Sequence, residues 1–146
     1  MAGELLLDTG ALVSLLDRSQ SFHAEFASFF ERWRGPVVST EAVLTEATHL
    51  LVRVPGGPQA CCDFFLEGGA VLVPSSPGSL RRCRELIQVY RDLPMDYADA
   101  TLVVLAEELS TNLVLTTDRR DFSVYRIEKK GKFKIKPELP SRRKRR

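Results

Sequence analysis

Four short apolar runs, separated by segments with a helical pattern, constrain the fold of this chain more than any other feature. The runs occupy residues 5–7, 37–39, 71–73 and 113–115. Runs of this length are typical of buried strands, and the segments between them carry apolar residues at helical spacing. Strands that alternate with helices form a mostly parallel sheet covered on both faces. We therefore predict an α/β fold with three layers, in which helices cover both faces of a central sheet.

The last part of the chain has a different pattern. Residues 124–127 and 132–136 flank Gly131, and the second segment alternates lysine with Phe133 and Ile135, which predicts a β-hairpin. With it the sheet would reach about five strands. We expect a single domain over residues 1–137 and a basic, disordered tail over residues 138–146.

Composition excludes several classes of protein. The 146 residues contain no apolar run long enough to span a membrane, so we expect no membrane association. The three cysteines include an adjacent pair and are odd in number, which is unlike a disulfide framework. We therefore expect a reducing, cytoplasmic location.

Charge is distributed unevenly along the chain. Residues 128–146 hold ten Lys or Arg and two Glu, a net charge of +8. Residues 1–127 hold eleven Arg, no Lys and seventeen acids, a net charge of −6. An acidic body with a basic end indicates a polyanion or another charged partner, although a solvated basic tail is also compatible with this pattern.

Acidic residues stand at positions that a parallel sheet would bring together. Asp8 directly follows the first apolar run and Asp118 follows the fourth, and ligands of such sheets bind at the carboxyl ends of the strands. On the predicted helices, Glu46 and Asp99 lie at the borders of apolar stripes. Asp96 and Asp99 are also compatible with a helix cap, since they stand three residues apart at a helix start.

The segments that carry these acids resemble the PIN domains, and in particular the VapC-type ribonuclease toxins of bacterial toxin–antitoxin pairs. These segments are Leu-Leu-Asp8-Thr-Gly-Ala, Val-Leu-Thr-Glu46, Met-Asp96-Tyr-Ala-Asp99-Ala and Leu-Thr-Thr-Asp118-Arg-Arg-Asp121-Phe. The resemblance extends from residue 5 to about residue 136. It implies a PIN-like three-layer sandwich and a metal-dependent endoribonuclease whose acidic cluster consists of Asp8, Glu46, Asp99 and Asp118.

The resemblance also implies roles for these residues. Asp8, Asp99 and Asp118 would bind the metal and Glu46 would orient water or act as a base, with Asp96 and Asp121 as accessory acids. All-oxygen ligands favour Mg²⁺ or Mn²⁺. The expected partners are an RNA substrate, a small VapB-like antitoxin that reaches the acids with a cationic side chain, and a second copy of the chain in a homodimer. Candidates for RNA contact are Thr9, Arg119, Arg120, Lys132, Lys134, Arg142 and Arg143.

Other interpretations of the same residues are weaker or remain open. Asp8-Thr9-Gly10 also matches the aspartic-protease motif, but that fold is all-β. A response-regulator receiver needs a lysine at its site, and no lysine precedes Lys129. Glu46 and His49 have the spacing of half a di-iron site without its second half. A PIN-like module that binds RNA or a partner without cleaving remains the alternative from another functional class.

Overall fold

The computed structural model describes residues 3–139 of the chain. Strands and helices alternate through most of this range. The strands are β1 (Leu5–Leu7), β2 (Val37–Thr40), β3 (Val71–Val73), β4 (Leu113–Leu115), β5 (Arg126–Ile127), β6 (Gly131–Lys132) and β7 (Lys134–Lys136). The helices are α1 (Thr9–Leu16), α2 (His23–Arg32), α3 (Glu41–Leu50), α4 (Gly57–Leu66), α5 (Pro77–Val89), α6 (Tyr97–Leu109) and α7 (Arg119–Val124).

Five of the strands form one parallel sheet in the order β3-β2-β1-β4-β7. The chain builds outward from β1 in one direction through β2 and β3, and then returns to the other side of β1 with β4 and β7. The order therefore reverses between β1 and β4, where Leu5 pairs with Leu113 and Leu7 with Leu115. In open parallel sheets such a switch point is where a crevice forms at the strands' carboxyl ends.

Helices cover both faces of this sheet, as predicted, because successive strand residues point to opposite sides. In β1, Leu6 packs into the core beneath α5, α6 and α7, while Leu5 and Leu7 pack into the core beneath α1, α2 and α4. Helix α3 contributes to both cores, with Val43 on one side and Ala47 on the other. The α/β sandwich expected from the alternation of elements is confirmed.

Local hydrogen bonds explain where several helices begin. The Thr40 hydroxyl accepts from the backbone N–H of Val43 at the start of α3, and the Asp96 carboxylate accepts from the N–H of Asp99 at the start of α6. Such caps satisfy N–H groups that have no partner within the helix. The cap expected at Asp96 is therefore present, but the Asp99 carboxylate is not part of it.

The predicted hairpin differs from the structure in its second arm. Strand β5 pairs antiparallel with β6 only through Lys132, and residues 134–136 leave the hairpin to form β7, which pairs in parallel with β4. Phe133 turns into the core at this junction. The short helix α7 was not predicted.

The proposed tail lies largely outside the described residues, and so do Arg142 and Arg143. Within residues 3–139, no helix has both the length and the apolar character that a membrane span requires.

Candidate active site

The acids that follow β1 and β4 meet at the switch point of the sheet. Asp8 comes directly after β1, and its backbone N–H donates to the carbonyl of Leu115 at the end of β4 (3.1 Å). Asp118 follows β4 after two threonines and caps α7 by accepting from the N–H of Asp121 (3.0 Å). Because β1 and β4 are neighbours in register, Asp8 and Asp118 leave the sheet side by side.

Thr116 connects the two strand ends. Its hydroxyl, which is fully buried, donates to a carboxylate oxygen of Asp8 (2.5 Å) and accepts from the backbone N–H of Asp118 (2.9 Å). A single side chain thereby holds Asp8 and the first turn of α7 together. Sequence analysis missed Thr116, although its position two residues before Asp118 offered a signal.

Asp99 lies on α6, in which every residue from Ala98 to Ala106 is buried. The sequence predicted Asp99 at the edge of an apolar stripe; instead the carboxylate is enclosed and only 8% exposed. The hydroxyl of Tyr125 donates to its Oδ2 atom (2.7 Å). Tyr125 follows α7 and is itself fully buried. No pattern in the sequence indicated this contact.

Three carboxylates converge closely enough to share one cation. Asp99, Asp118 and Asp121 each offer an oxygen, and these oxygens lie within 4.8 Å of one another. Asp121, expected only as an accessory acid, joins the group because α7 brings it back toward Asp118. Carboxylate oxygens alone make a donor set that suits a hard divalent cation such as Mg²⁺ or Mn²⁺. The residues present therefore fit a metal of that class.

Burial and mutual repulsion raise the pKa values of these acids. Burial raises the pKa of Asp8 to about 7 against the hydrogen bond from Thr116, and the charges of Asp118 and Glu46 add to the shift. Burial followed by the charge of Asp8 raises the pKa of Asp99 to about 8. The pKa of Asp121 is raised by burial and then by Asp118. Such clustered acids are costly when ionised, and a bound cation would relieve that cost.

The remaining predicted acids lie at the margin of this group. Glu46 is half-buried on α3 and Asp96 is exposed at the start of α6. Both line one cleft of about 430 Å³ between these helices. Glu46 is near enough for its charge to act on Asp8, but it is outside the close group of three carboxylates. His49 also lines the cleft and is exposed.

The candidates for RNA contact occupy different environments. Thr9 is only 4% exposed and its hydroxyl has no partner in the described part of the chain, which differs from the surface position expected of an RNA contact. Arg119 is half-buried and donates to the carbonyl of Pro137. Arg120, Lys132 and Lys134 are exposed.

Comparison with known proteins agrees with this geometry. Residues 5–128 match the family model described as PIN domain. The chain belongs to the PIN domain family. The match begins at β1 and ends just beyond β5, so it includes every acid of the candidate site.

The chain is similar to a ribonuclease in sequence and to the solved structure of a toxin in fold. Ribonuclease VapC26 of Mycobacterium tuberculosis is 29% identical over 135 residues, which cover 91% of this chain and all of that protein. The crystal structure of VapC20 from the same species, described as a Sarcin-Ricin loop cleaving toxin, gives a TM-score of 0.74 at 15% identity and covers 80% of this chain and 91% of that one. VapBC2 of Rickettsia felis, bound to a DNA fragment from their promoter, gives 0.64 at 12% identity, with 92% and 99% covered.

A toxin–antitoxin complex from Klebsiella pneumoniae is also similar in fold. It gives a TM-score of 0.63 at 19% identity and covers 82% of this chain and 91% of that one. At these identities the solved structures establish the shared fold.

Proposed function

We propose that this PIN domain is a metal-dependent endoribonuclease that hydrolyses phosphodiester bonds in RNA. The observation that carries the proposal is the convergence of Asp99, Asp118 and Asp121 within 4.8 Å, beside buried Asp8 at the switch point of the sheet. An all-carboxylate group at this place in a parallel sheet suits metal-assisted phosphoryl chemistry. The similarity to a protein named as a ribonuclease over 91% of the chain supports RNA as the substrate.

We assign the divalent cation, Mg²⁺ or Mn²⁺, to the three converging carboxylates, with Asp8 next to them. When bound, such an ion would polarise a phosphate oxygen and lower the pKa of a water molecule that attacks the phosphorus. Thr116 keeps Asp8 oriented, and Tyr125 keeps Asp99 oriented. Glu46 faces the cleft between α3 and α6 and has a negative charge that reaches Asp8. We therefore assign it to orient the attacking water.

We further propose that the protein is the toxin of a toxin–antitoxin pair and forms a homodimer. Two of the similar structures are described as assemblies of a toxin with its antitoxin or as VapBC complexes. A partly buried group of carboxylates would attract a guanidinium as it attracts a metal, because both neutralise it. An antitoxin that places an arginine there would block the site. Co-expression with the product of an adjacent reading frame should give a stable complex with suppressed cleavage.

The proposed nuclease activity is tested with labelled RNA and the purified full-length chain. We expect cleavage with Mg²⁺ or Mn²⁺, none with EDTA, and none for Asp8→Asn. The matched control is Asp63→Asn, which makes the same change at an exposed position of α4 and should remain active. Because Asp8→Asn removes a buried charge, the variant should melt at the same or a higher temperature in EDTA. Cleavage that survives EDTA or Asp8→Asn would contradict the proposal.

A further inference from the structure

A strongly basic segment of the described chain lies away from the acidic group. Residues 126–134, which we call the basic hairpin, comprise β5, β6, the turn between them, Phe133 and the first residue of β7. They carry five cations and one carboxylate. The residues around this turn are exposed, and none of Lys129, Lys130, Lys132 and Lys134 forms an ion pair within residues 3–139. Their charges therefore face solvent uncompensated.

Contacts with α6 and β4 fix the position of the basic hairpin. The backbone N–H of Glu128 donates to the Glu107 carboxylate near the end of α6 (3.0 Å). Asp99, which belongs to the acidic group, lies eight residues earlier on the same helix, so the turn is about 12 Å farther along α6. Lys134 pairs with Leu113, the first residue of β4. The basic hairpin thus lies toward the amino ends of the strands, and the acids lie at the carboxyl ends.

The hairpin is also held in a defined shape. Arg82 donates to both oxygens of Glu107 (2.9 and 3.0 Å), which neutralises the carboxylate that anchors the turn. Within the turn, Lys129 has a φ of +69° and Gly131 a φ of +77°. A left-handed backbone costs a side-chain-bearing residue about 1 kcal/mol or more relative to glycine. A lysine therefore occupies a turn position that glycine would occupy with less strain.

A nuclease with this charge distribution needs a cationic surface outside the acidic group to hold its substrate. Phosphates are repelled by the carboxylates until a cation is bound, and residues 1–127 have a net charge of −6. We propose that the basic hairpin is a second RNA-binding surface, which contacts phosphates of the strand about 12 Å or more from the bond that is cut. The choice of RNA as the polyanion rests on the proposed function; the position and charge of the surface do not.

The inference is tested by binding rather than by cleavage. Full-length protein in EDTA is titrated with a labelled single-stranded RNA of about 20 nucleotides at several salt concentrations, because each phosphate contact adds about −0.7 to the log–log salt slope. The variant Lys129→Gln/Lys130→Gln/Lys132→Gln should bind more weakly, with a slope that is flatter by about 2. The variant with arginine at the same three positions should recover the slope of the unmodified protein.

The matched control removes three charges elsewhere. Arg18, Arg34 and Arg53 are exposed in segments that follow α1, α2 and α3. Their joint replacement by glutamine should leave the slope unchanged. Lys129→Gly separates the loss of charge from misfolding. It removes one charge at a position whose backbone conformation favours glycine, so the fold should be retained. It should melt at the same or a higher temperature and still flatten the slope by about 0.7.

Two outcomes would overturn the inference, and a third would overturn only the proposed function. Equal slopes for the unmodified protein and the triple glutamine variant would leave the basic hairpin as a solvated surface. A polyglutamate that displaces the RNA as effectively as an RNA competitor of equal charge would identify the surface as one for an acidic protein partner. If labelled RNA is not cleaved with Mg²⁺ or Mn²⁺ while the salt slopes are as expected, the nuclease proposal is overturned and the binding surface stands.

Discussion

The hydroxyl of Thr116 donates a 2.5 Å hydrogen bond to the carboxylate of Asp8, a residue 108 positions earlier in the chain. The same hydroxyl accepts from the backbone N–H of Asp118, at the start of α7. Without the hydroxyl, this carboxylate oxygen of Asp8 and the N–H of Asp118 would each lose the Thr116 hydrogen bond. The spacing of Asp8 and Asp118 therefore depends on a residue that carries no charge.

Replacement of Thr116 by valine keeps the shape of the side chain and removes this bridge. We expect Thr116→Val to lower the free energy of unfolding by about 1–3 kcal/mol, because a buried acceptor and a donor lose their partner. Cleavage should fall further than stability alone explains, since Asp8 and Asp118 are no longer held together. Urea unfolding and an RNA cleavage assay measure the two effects. Thr45→Val, at an exposed position of α3, should change neither.

The raised pKa values of Asp8 (about 7) and Asp99 (about 8) predict how stability depends on pH. In the unfolded chain both groups ionise near pH 4. Between about pH 4 and pH 8 the folded protein therefore binds more protons, and its stability must fall as pH rises, by up to about 1.4 kcal/mol per pH unit for each group. The stabilising contribution is complete below about pH 4 and is lost as pH rises through 7 to 8.

Chemical unfolding in EDTA at several pH values tests this sign. Stability should decrease from about pH 5 to about pH 8, and Asp8→Asn should decrease less steeply because one of the two groups no longer titrates. Added Mn²⁺ should stabilise the protein more at the higher pH, where the carboxylates ionise at less cost. A pH profile that is identical for the variant and the unmodified protein would contradict the assignment.

Tyr125 offers a test of how Asp99 is oriented. Its ring packs edge-on against Tyr90 (5.1 Å between centroids) and Phe122 (5.2 Å), and its hydroxyl reaches Asp99. Tyr125→Phe keeps the ring and removes the hydrogen bond. Groups that orient a metal ligand typically contribute 10- to 100-fold to metal affinity. We expect a loss of that order in Mn²⁺ affinity, measured by calorimetric titration.

Tyr90→Phe is the matched control for this change. The Tyr90 hydroxyl accepts from the backbone N–H of Arg126 and contacts no carboxylate in the described part of the chain. Both variants lose one hydroxyl from the same aromatic cluster, so a general loosening of the cluster would affect them alike. Equal Mn²⁺ affinities for the two variants would show that Tyr125 supports the packing and not the metal ligand.

Local patterns predicted most of the fold because each element has its own signal. The apolar runs and helical stripes indicated β1 to β4 and α1 to α6, and Asp96 indicated the start of α6. Local patterns did not predict strand pairing where tertiary contacts determine it. Residues Lys134–Lys136 could continue a hairpin or pair with β4. In the structure they pair with β4, and Phe133 is buried beside them. The local sequence does not indicate which of the two pairings forms.

The candidate site was predictable to a similar degree. Asp8, Asp99 and Asp118 are recognisable because they stand at strand ends or at the start of a helix. The part that Asp121 plays depends on α7, a six-residue helix too short to leave a periodic pattern. The contacts of Thr116 and Tyr125 join residues 108 and 26 positions apart. Only the folded structure brings such pairs together.

Gly10 supplies a final prediction, because it lets the loop after β4 approach the start of α1. A Cβ atom at this position would overlap the side-chain hydroxyl of Thr117 and lie 3.2 Å from the Cβ of Thr117, the residue before Asp118. We expect Gly10→Ala to displace that loop and reduce Mn²⁺ affinity and cleavage. Stability should change little, because alanine is favoured over glycine in a helix by up to about 1 kcal/mol and offsets part of the strain.

A double-mutant cycle decides whether the Gly10 effect passes through Thr117. Thr117 is exposed, so Thr117→Ala alone should have little effect on stability. Combined with Gly10→Ala, it removes the hydroxyl that the new methyl group meets, and it should restore a large part of the Mn²⁺ affinity. Residues in contact show such non-additivity, by about 0.5–3 kcal/mol, whereas independent sites do not. Additive losses in the double variant would mean that Gly10 acts within α1 and not on the loop that carries Asp118.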